Sequence, residues 1–173
     1  HLARTNNIVT AVLLALVLAL GMWAVPSPLY VAVAVYAWVF IQISMMAVTL
    51  YLHRDQAHRA IDLHPALRHF FRLWIWLTSG MLTREWVAVH RKHHAHTDTP
   101  DDPHSPAVSG WKTVQVRNLA MYRSAAHDQR NIDRYAKDLA PTRWDRRLFD
   151  RSSVGLLLGT AILCVVFGWP VGL

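Results

Sequence analysis

Residues 29–58 read LYVAVAVYAWVFIQISMMAVTLYL followed directly by HRDQAH. Leu29 to Leu52 is a run of 24 residues without a charge, and it ends on a histidine-bearing hexapeptide. As a helix rising about 1.5 Å per residue it is roughly 36 Å long. A bilayer's hydrocarbon core is about 30 Å thick. The run therefore reads as a membrane span whose last turn emerges from lipid and delivers His53 to the interface. Two further uncharged runs, Ile8 to Val25 and Ser152 to Leu173, read the same way. Helices are the expected spanning elements, because lipid offers no partner to an open strand edge. Pro26-Ser27-Pro28 joins the first two runs too closely for anything but an antiparallel hairpin. A signal peptide is a poor reading of the first run, since only Arg4 precedes it and another span follows it at once.

Charge is segregated. All 11 acidic residues and 17 of the 18 Lys and Arg lie between His53 and Arg151, a surplus of six positive charges. Arg54 and Arg59 flank the second run, and Arg143, Arg146, Arg147 and Arg151 flank the third. Basic residues so close to spans mark the cytoplasmic side. The expected architecture is thus an all-α integral membrane protein. It has spans at about 8–25, 29–52 and 152–173, a cytoplasmic helical region at 53–151, and Ser27 on the opposite side. The basic balance fits contact with anionic lipid head groups. Nucleic acid is not an expected partner, because the basic residues are interleaved with acids. The single cysteine, Cys164, allows no internal disulfide.

Within the hydrophilic region, Ala66 to Thr83 is semi-apolar, but Arg72 and Arg84 leave too little room for a span. An interfacial or buried helix ending near Gly80 is expected. Thr97 to Pro106, with its three prolines and three aspartates, should be a turn that stops the preceding helix. Trp111, Val114, Leu119 and Tyr122 share one helical face. Asn131 to Asp150 reads as solvated surface, helical and broken at Pro141.

Two histidine clusters carry the chemistry. His53-Arg-Asp-Gln-Ala-His58 is an HxxxxH pattern, and His90-Arg-Lys-His93-His94 is an HxxHH pattern. Neutral imidazole is the commonest side-chain ligand for iron and zinc. At about 100° per residue, His90, His93 and His94 fall within about 100° of arc on one helix face, which can serve two adjacent ions. His53 and His58 differ by about 140° on an ideal α-helix, so a bend or helix end between them would help. His64 and His69 repeat the HxxxxH spacing but contain Pro65 and follow no span, and are expected not to bind metal. His96, about 240° around from His90, is expected at the surface.

The two clusters resemble the histidine boxes of the membrane-bound fatty acid desaturases. Trp86-Val-Ala-Val-His90-Arg-Lys-His93-His94, then Thr97-Asp98-Thr99 and Asp102-Pro103-His104-Ser105-Pro106, is similar to the acyl-CoA desaturase branch in its bacterial form. The order of span hairpin, first box, interfacial segment, second box, basic stretch and further span matches along essentially the whole chain. The resemblance implies two irons, with His53, His58, His90, His93 and His94 as ligands. His104 stands in a DPHN-like motif and is expected to shape the site or orient a ligand. Trp86 is a candidate for the acyl channel. Carboxylates commonly orient ligating histidines, and Asp55, Asp98, Asp101 and Asp102 are the candidates.

The implied activity is O₂-dependent insertion of a cis double bond into a fatty acyl chain, on coenzyme A or lipid-linked. The implied electron donor is ferredoxin-, rubredoxin- or cytochrome-like, with its reductase, and the implied location is the bacterial cytoplasmic membrane with both boxes facing the cytoplasm. A di-iron lipid hydroxylase or ketolase would share the boxes. A membrane metal transporter would instead place polar ligands within its spans, and residues 8–25, 29–52 and 152–173 hold no histidine or charge. The family carries a third histidine box after the next pair of spans, and these 173 residues have none. The chain is therefore expected to be the N-terminal part of one membrane desaturase domain, active only as the complete protein.

Overall fold

The computed structural model describes residues 27–168 together with Val12 and Leu16. The expected span at residues 8–25 otherwise lies outside the described residues, and so does the end of the expected third span. All regular structure among the described residues is helical. The chain divides into two compact units, one up to Ile43 and one from Ser44 onward.

Helix α1 runs Ser27–Met46 and passes without a break into a π-helical segment, Ala47–Ala57. Within the first unit, Tyr36 and Phe40 lie one turn apart with ring centroids 5.7 Å apart. By length and composition, Val31–Ala57 is the one helix among the described residues able to cross a membrane. Helix α2, Pro65–Ser79, follows a short loop. It starts where a helix should, with Pro65 in its first turn and the His64 ring accepting the Ala66 amide. It ends at Gly80, whose φ of +63° is the left-handed conformation that glycine supplies without steric cost. Both boundaries lie close to those expected from the sequence.

The π-helical segment packs on α2. Ala47, Tyr51 and Leu52 meet Phe71 and Ile75 in one buried cluster. Hydrogen bonds fix the contact at its polar edges, from Trp74 Nε1 to Ser44 Oγ at 2.9 Å and between the Tyr51 and Thr83 hydroxyls at 3.0 Å. Helix α3, Thr83–Ala95, carries the second histidine cluster. Its inner face, Val87 and Ala88, is buried against Ala57, Ile132 and Ala136, while Val89 meets Ala125 and Ala126. Apart from Ala57 of the π-helical segment, those partners come from α4, Trp111–Ala126, and from α5, Gln129–Tyr135, and its exit. Helix α3 is thus the central element to which the π-helical segment, α4 and α5 attach.

Of the apolar α4 face, Val114 and Tyr122 are half-buried, whereas Trp111 and Leu119 stay exposed. The expectation that 131–150 is solvated surface, helical and broken at Pro141 holds for most of the stretch, with a π-helical turn, Asp145–Phe149, beyond the break, and is corrected at four positions. Asn131, Ile132, Ala136 and Phe149 are buried, and the helix ends at Tyr135, before Pro141. Asn131 Nδ2 donates to the Ala125 carbonyl at 2.8 Å and ties α4 to α5.

Helix α6, Ser152–Phe167, lies against α2. The two backbones approach closely at Gly155 and Gly159. A Cβ at Gly155 would collide with the Trp76 carbonyl and ring, and one at Gly159 with the Leu77 carbonyl. This small-xxx-small spacing permits such contact between apolar helices. Gly159→Val should therefore force α6 away from α2 and lower stability by about 1–3 kcal/mol, the usual cost of overpacking. Thermal unfolding in detergent would show a lower midpoint than for Leu158→Val, which changes an exposed position.

Candidate metal centre

The first box depends on the local helix type. In an α-helix His53 and His58 would diverge. The π-helical register instead bonds residue i to i+5, and the His58 amide donates to the His53 carbonyl at 3.0 Å. Residues five apart then sit one above the other, and the two ring centroids are 4.7 Å apart. The bend expected from the sequence is, in fact, a change of hydrogen-bond register.

The second box meets the first. His90 lies 4.7 Å from His53 and 5.2 Å from His58, measured between ring centroids. His94 lies 4.9 Å from His58 and 4.6 Å from His90, and His93 is 5.6 Å from His94. All five predicted imidazoles are therefore drawn into one cluster. The ring nitrogens of His53, His58 and His90 lie within 4.8 Å of one another. His58 Nε2 and His90 Nε2 face each other at 3.1 Å. Two imidazole nitrogens each bound at about 2.0–2.1 Å to one ion would stand at about that separation when roughly at right angles. The donor set thus fits a borderline metal such as iron.

Protonation favours the same role. Burial, then the neighbouring imidazoles His94, His53, His58 and His93, push His90 down to about 4. Burial, then His53, His94 and Arg91, also lower His58. Both rings are neutral at pH 7 and free to offer lone pairs.

Beyond this cluster, His93, Asp102 and His104 also bring potential ligand atoms within 4.8 Å of one another. The hydrogen bonds give Asp102 a different task. Its Oδ1 accepts from His93 Nδ1 at 2.9 Å and from the His104 amide at 3.1 Å, while Oδ2 accepts from the Asp98 amide at 3.0 Å. Burial alone would raise this carboxyl, but the His93 hydrogen bond and the two amides together hold it below the usual carboxylate range. An ionised carboxylate only accepts. His93 Nδ1 therefore carries the proton, and its Nε2 is left for a metal. The His104 ring stacks on His93 at 4.6 Å.

The structure also ranks the other aspartates. Asp98, at a φ of +58°, accepts from Ser105 Oγ at 2.7 Å and so braces the Asp102 turn. Asp55 is buried, but its partners are Arg68, the Gln56 side-chain amide and the Leu63 amide, so it fastens α2 rather than a histidine. Asp101 is exposed. His64 serves as a helix cap, and His69 is exposed. The surface expectation for His96 is corrected. This residue closes α3, is half-buried, and pairs through Nε2 with the Tyr135 hydroxyl at 2.8 Å. Trp86 stacks on His90 at 4.7 Å with the planes 14° apart. Together with His90, His104, Val116, Leu119 and Tyr122 it lines a largely apolar cleft of about 630 Å³.

The chain is similar in sequence to known desaturases. The family model described as fatty acid desaturase matches residues 30–173. The chain is 39% identical over 77 residues to a chloroplastic protein of Arabidopsis thaliana described as a probable lipid desaturase, covering 43% of this chain and 21% of that one. It is 33% identical over 95 residues to an sn-1 stearoyl-lipid 9-desaturase of Anabaena variabilis, covering 55% and 34%. It is 27% identical over 128 residues to the sn-1 stearoyl-lipid 9-desaturase of a Synechocystis strain, covering 72% and 38%. The chain thus spans between about a fifth and two fifths of the length of these relatives. No solved structure matches it.

The low His90 value has a measurable cost in the metal-free protein. The unfolded chain takes up a proton near the ordinary value of 6.5, which folded His90 refuses until about 4. Between those values the unfolded state binds more protons, so stability falls as pH falls across the window and levels off below it. Chemical unfolding in detergent from pH 7 to 4 should show this slope, and His90→Gln should flatten it. Parallel profiles for the two proteins would contradict the assignment.

Proposed function

Because the chain belongs to the fatty acid desaturase family, we propose that its full-length protein inserts a cis double bond into a lipid-linked fatty acyl chain. One observation carries this reading. Five imidazoles from two segments more than 30 residues apart converge beside an apolar cleft. The acyl-lipid desaturases among its relatives favour a lipid-linked substrate over an acyl-CoA.

In this proposal His53, His58, His90, His93 and His94 hold two iron ions. When bound, the irons supply the redox chemistry with O₂ that desaturation requires. The chain's own residues prepare that site. Asp102 fixes the His93 tautomer and turns its Nε2 inward. Partial burial and the crowding of neighbouring imidazoles keep His90 neutral, and the same causes together with Arg91 lower His58. Trp86 covers one face of His90 and, with Val116 and Leu119, offers an apolar wall along which a hydrocarbon chain can lie while water is excluded. A ferredoxin-, rubredoxin- or cytochrome-like carrier with its reductase supplies electrons. Residues 8–25, 29–52 and 152–173 span the bacterial cytoplasmic membrane, with 53–151 of the same domain on the cytoplasmic side.

The full-length protein, expressed in a host lacking the product, should yield a monounsaturated acyl chain in its membrane lipids by gas chromatography with mass detection. His94→Ala should remove product and bound iron together. His64→Ala, which loses only a helix cap, should keep both. A hydroxylated or keto chain in place of the alkene would contradict the desaturase reading.

A further inference from the structure

The guanidinium of Arg91 is fully used. It stands between His90 and His93 on α3, and it makes five hydrogen bonds, as many as it has N–H groups. Nε donates to the Ala57 carbonyl at 2.9 Å and Nη2 to the Gln56 carbonyl at 3.0 Å. These are two of the carbonyls left open where the π-helical segment ends, directly before His58. Helix ends leave such carbonyls without internal partners, and a basic side chain can satisfy them. Arg91 therefore caps the helix of the first box from within the second box.

Asp138 sets the direction of that fork. Its Oδ1 accepts from Arg91 Nη1 at 2.6 Å and its Oδ2 from Nη2 at 3.1 Å, a bidentate pair. The same Oδ2 pairs with Arg59 Nη2 at 2.6 Å. Arg59 directly follows His58 and has a φ of +53°, a left-handed conformation that a non-glycine residue adopts only when held there. The remaining Nη1 bond reaches the Tyr135 carbonyl at the end of α5 at 2.8 Å. Asp138 thus grips the residue after His58 and, through Arg91, the two residues before it. It lies in a stretch whose charges suggest nothing but surface.

We propose that Asp138 is a positioning residue of the metal centre: through Arg91 and Arg59 it fixes the distance between the two histidine segments, and it touches neither metal nor substrate. A neutral or shorter side chain there leaves the guanidinium without its bidentate anchor. The cap on Gln56 and Ala57 then loosens, and His58 drifts from His90. The proposal rests on the metal-binding reading above.

The test uses the full-length protein and Co²⁺ alone, read by competition with a chromophoric chelator and by the ion's visible spectrum. Removing a group that orients metal ligands typically costs 10–100-fold in affinity. Asp138→Ala and Asp138→Asn should each weaken binding of at least one ion about 10-fold or more and alter the spectrum. Arg91→Lys should do the same, since an ammonium cannot make the fork. The double variant Asp138→Ala with Arg91→Ala should bind no worse than Arg91→Ala alone, because the two residues act as one unit. Arg130→Ala, which removes an exposed pair with Asp128, is the control and should change nothing.

Thermal melting of the metal-free proteins guards against misfolding. If Asp138→Ala melts early, the near-isosteric Asp138→Asn decides. Affinity and spectrum unchanged in Asp138→Asn would overturn the proposal, even if the wild type produces alkene. A wild type that binds two ions tightly yet makes no alkene would sink the functional reading and leave this one standing.

Discussion

The structure depends on a single change of hydrogen-bond register. When the His58 amide bonds to the His53 carbonyl, five residues, rather than four, close each turn of the helix that enters the site. An α-helical register would send the two rings to different faces. The π-helical one stacks them, so that a contiguous segment offers both imidazoles to whatever lies opposite. Short π-helical stretches concentrate at functional sites because they re-aim side chains in this way. Everything else in the centre answers to that arrangement.

Helix α3 is what lies opposite. It is buried on one face by Val87, Ala88 and Val89, and this burial fixes its rotation. Its histidines consequently point toward the first box. The turn after α3 returns Asp102 to His93, and three donors saturate the carboxylate there. A buried charge is tolerable only when it is so thoroughly paired. The result is a layered site in which apolar packing sets helix orientation, a carboxylate sets one imidazole's tautomer, and burial with imidazole crowding keeps His90 neutral. Each layer prepares lone pairs for a cation.

Much of this was legible in the primary structure, and the reasons for the remainder are specific. The run Leu29–Leu52 announced a long apolar helix, Gly80 announced a helix end, and the HxxHH spacing placed three imidazoles on one face. These are local signals, governed by periodicity and turn chemistry. The convergence of His53 with His58 was not legible as a π-helix, because periodicity on an ideal α-helix does not reveal a change of hydrogen-bond register. The ranking of Asp102 above Asp55 was hidden for a similar reason. Both are aspartates near a histidine, and only the fold sends one to His93 and the other to Arg68. His96 was misread because the angle on an ideal helix ignores what packs alongside, here Tyr135 of α5. Asp138 was the least visible of all, since its partner Arg91 lies 47 residues away.

In the proposed centre the five imidazoles of His53, His58, His90, His93 and His94 form a constellation for two ions, with Asp102 and His104 serving as supports. Anomalous diffraction at the iron absorption edge, on crystals of the full-length protein, tests it most directly. Two iron peaks are expected, each within bonding distance of imidazole nitrogens from this set, with Asp102 still hydrogen-bonded to His93 Nδ1. A peak bonded to Asp102 and His104, or no peak beside the His58 and His90 nitrogens, would contradict it.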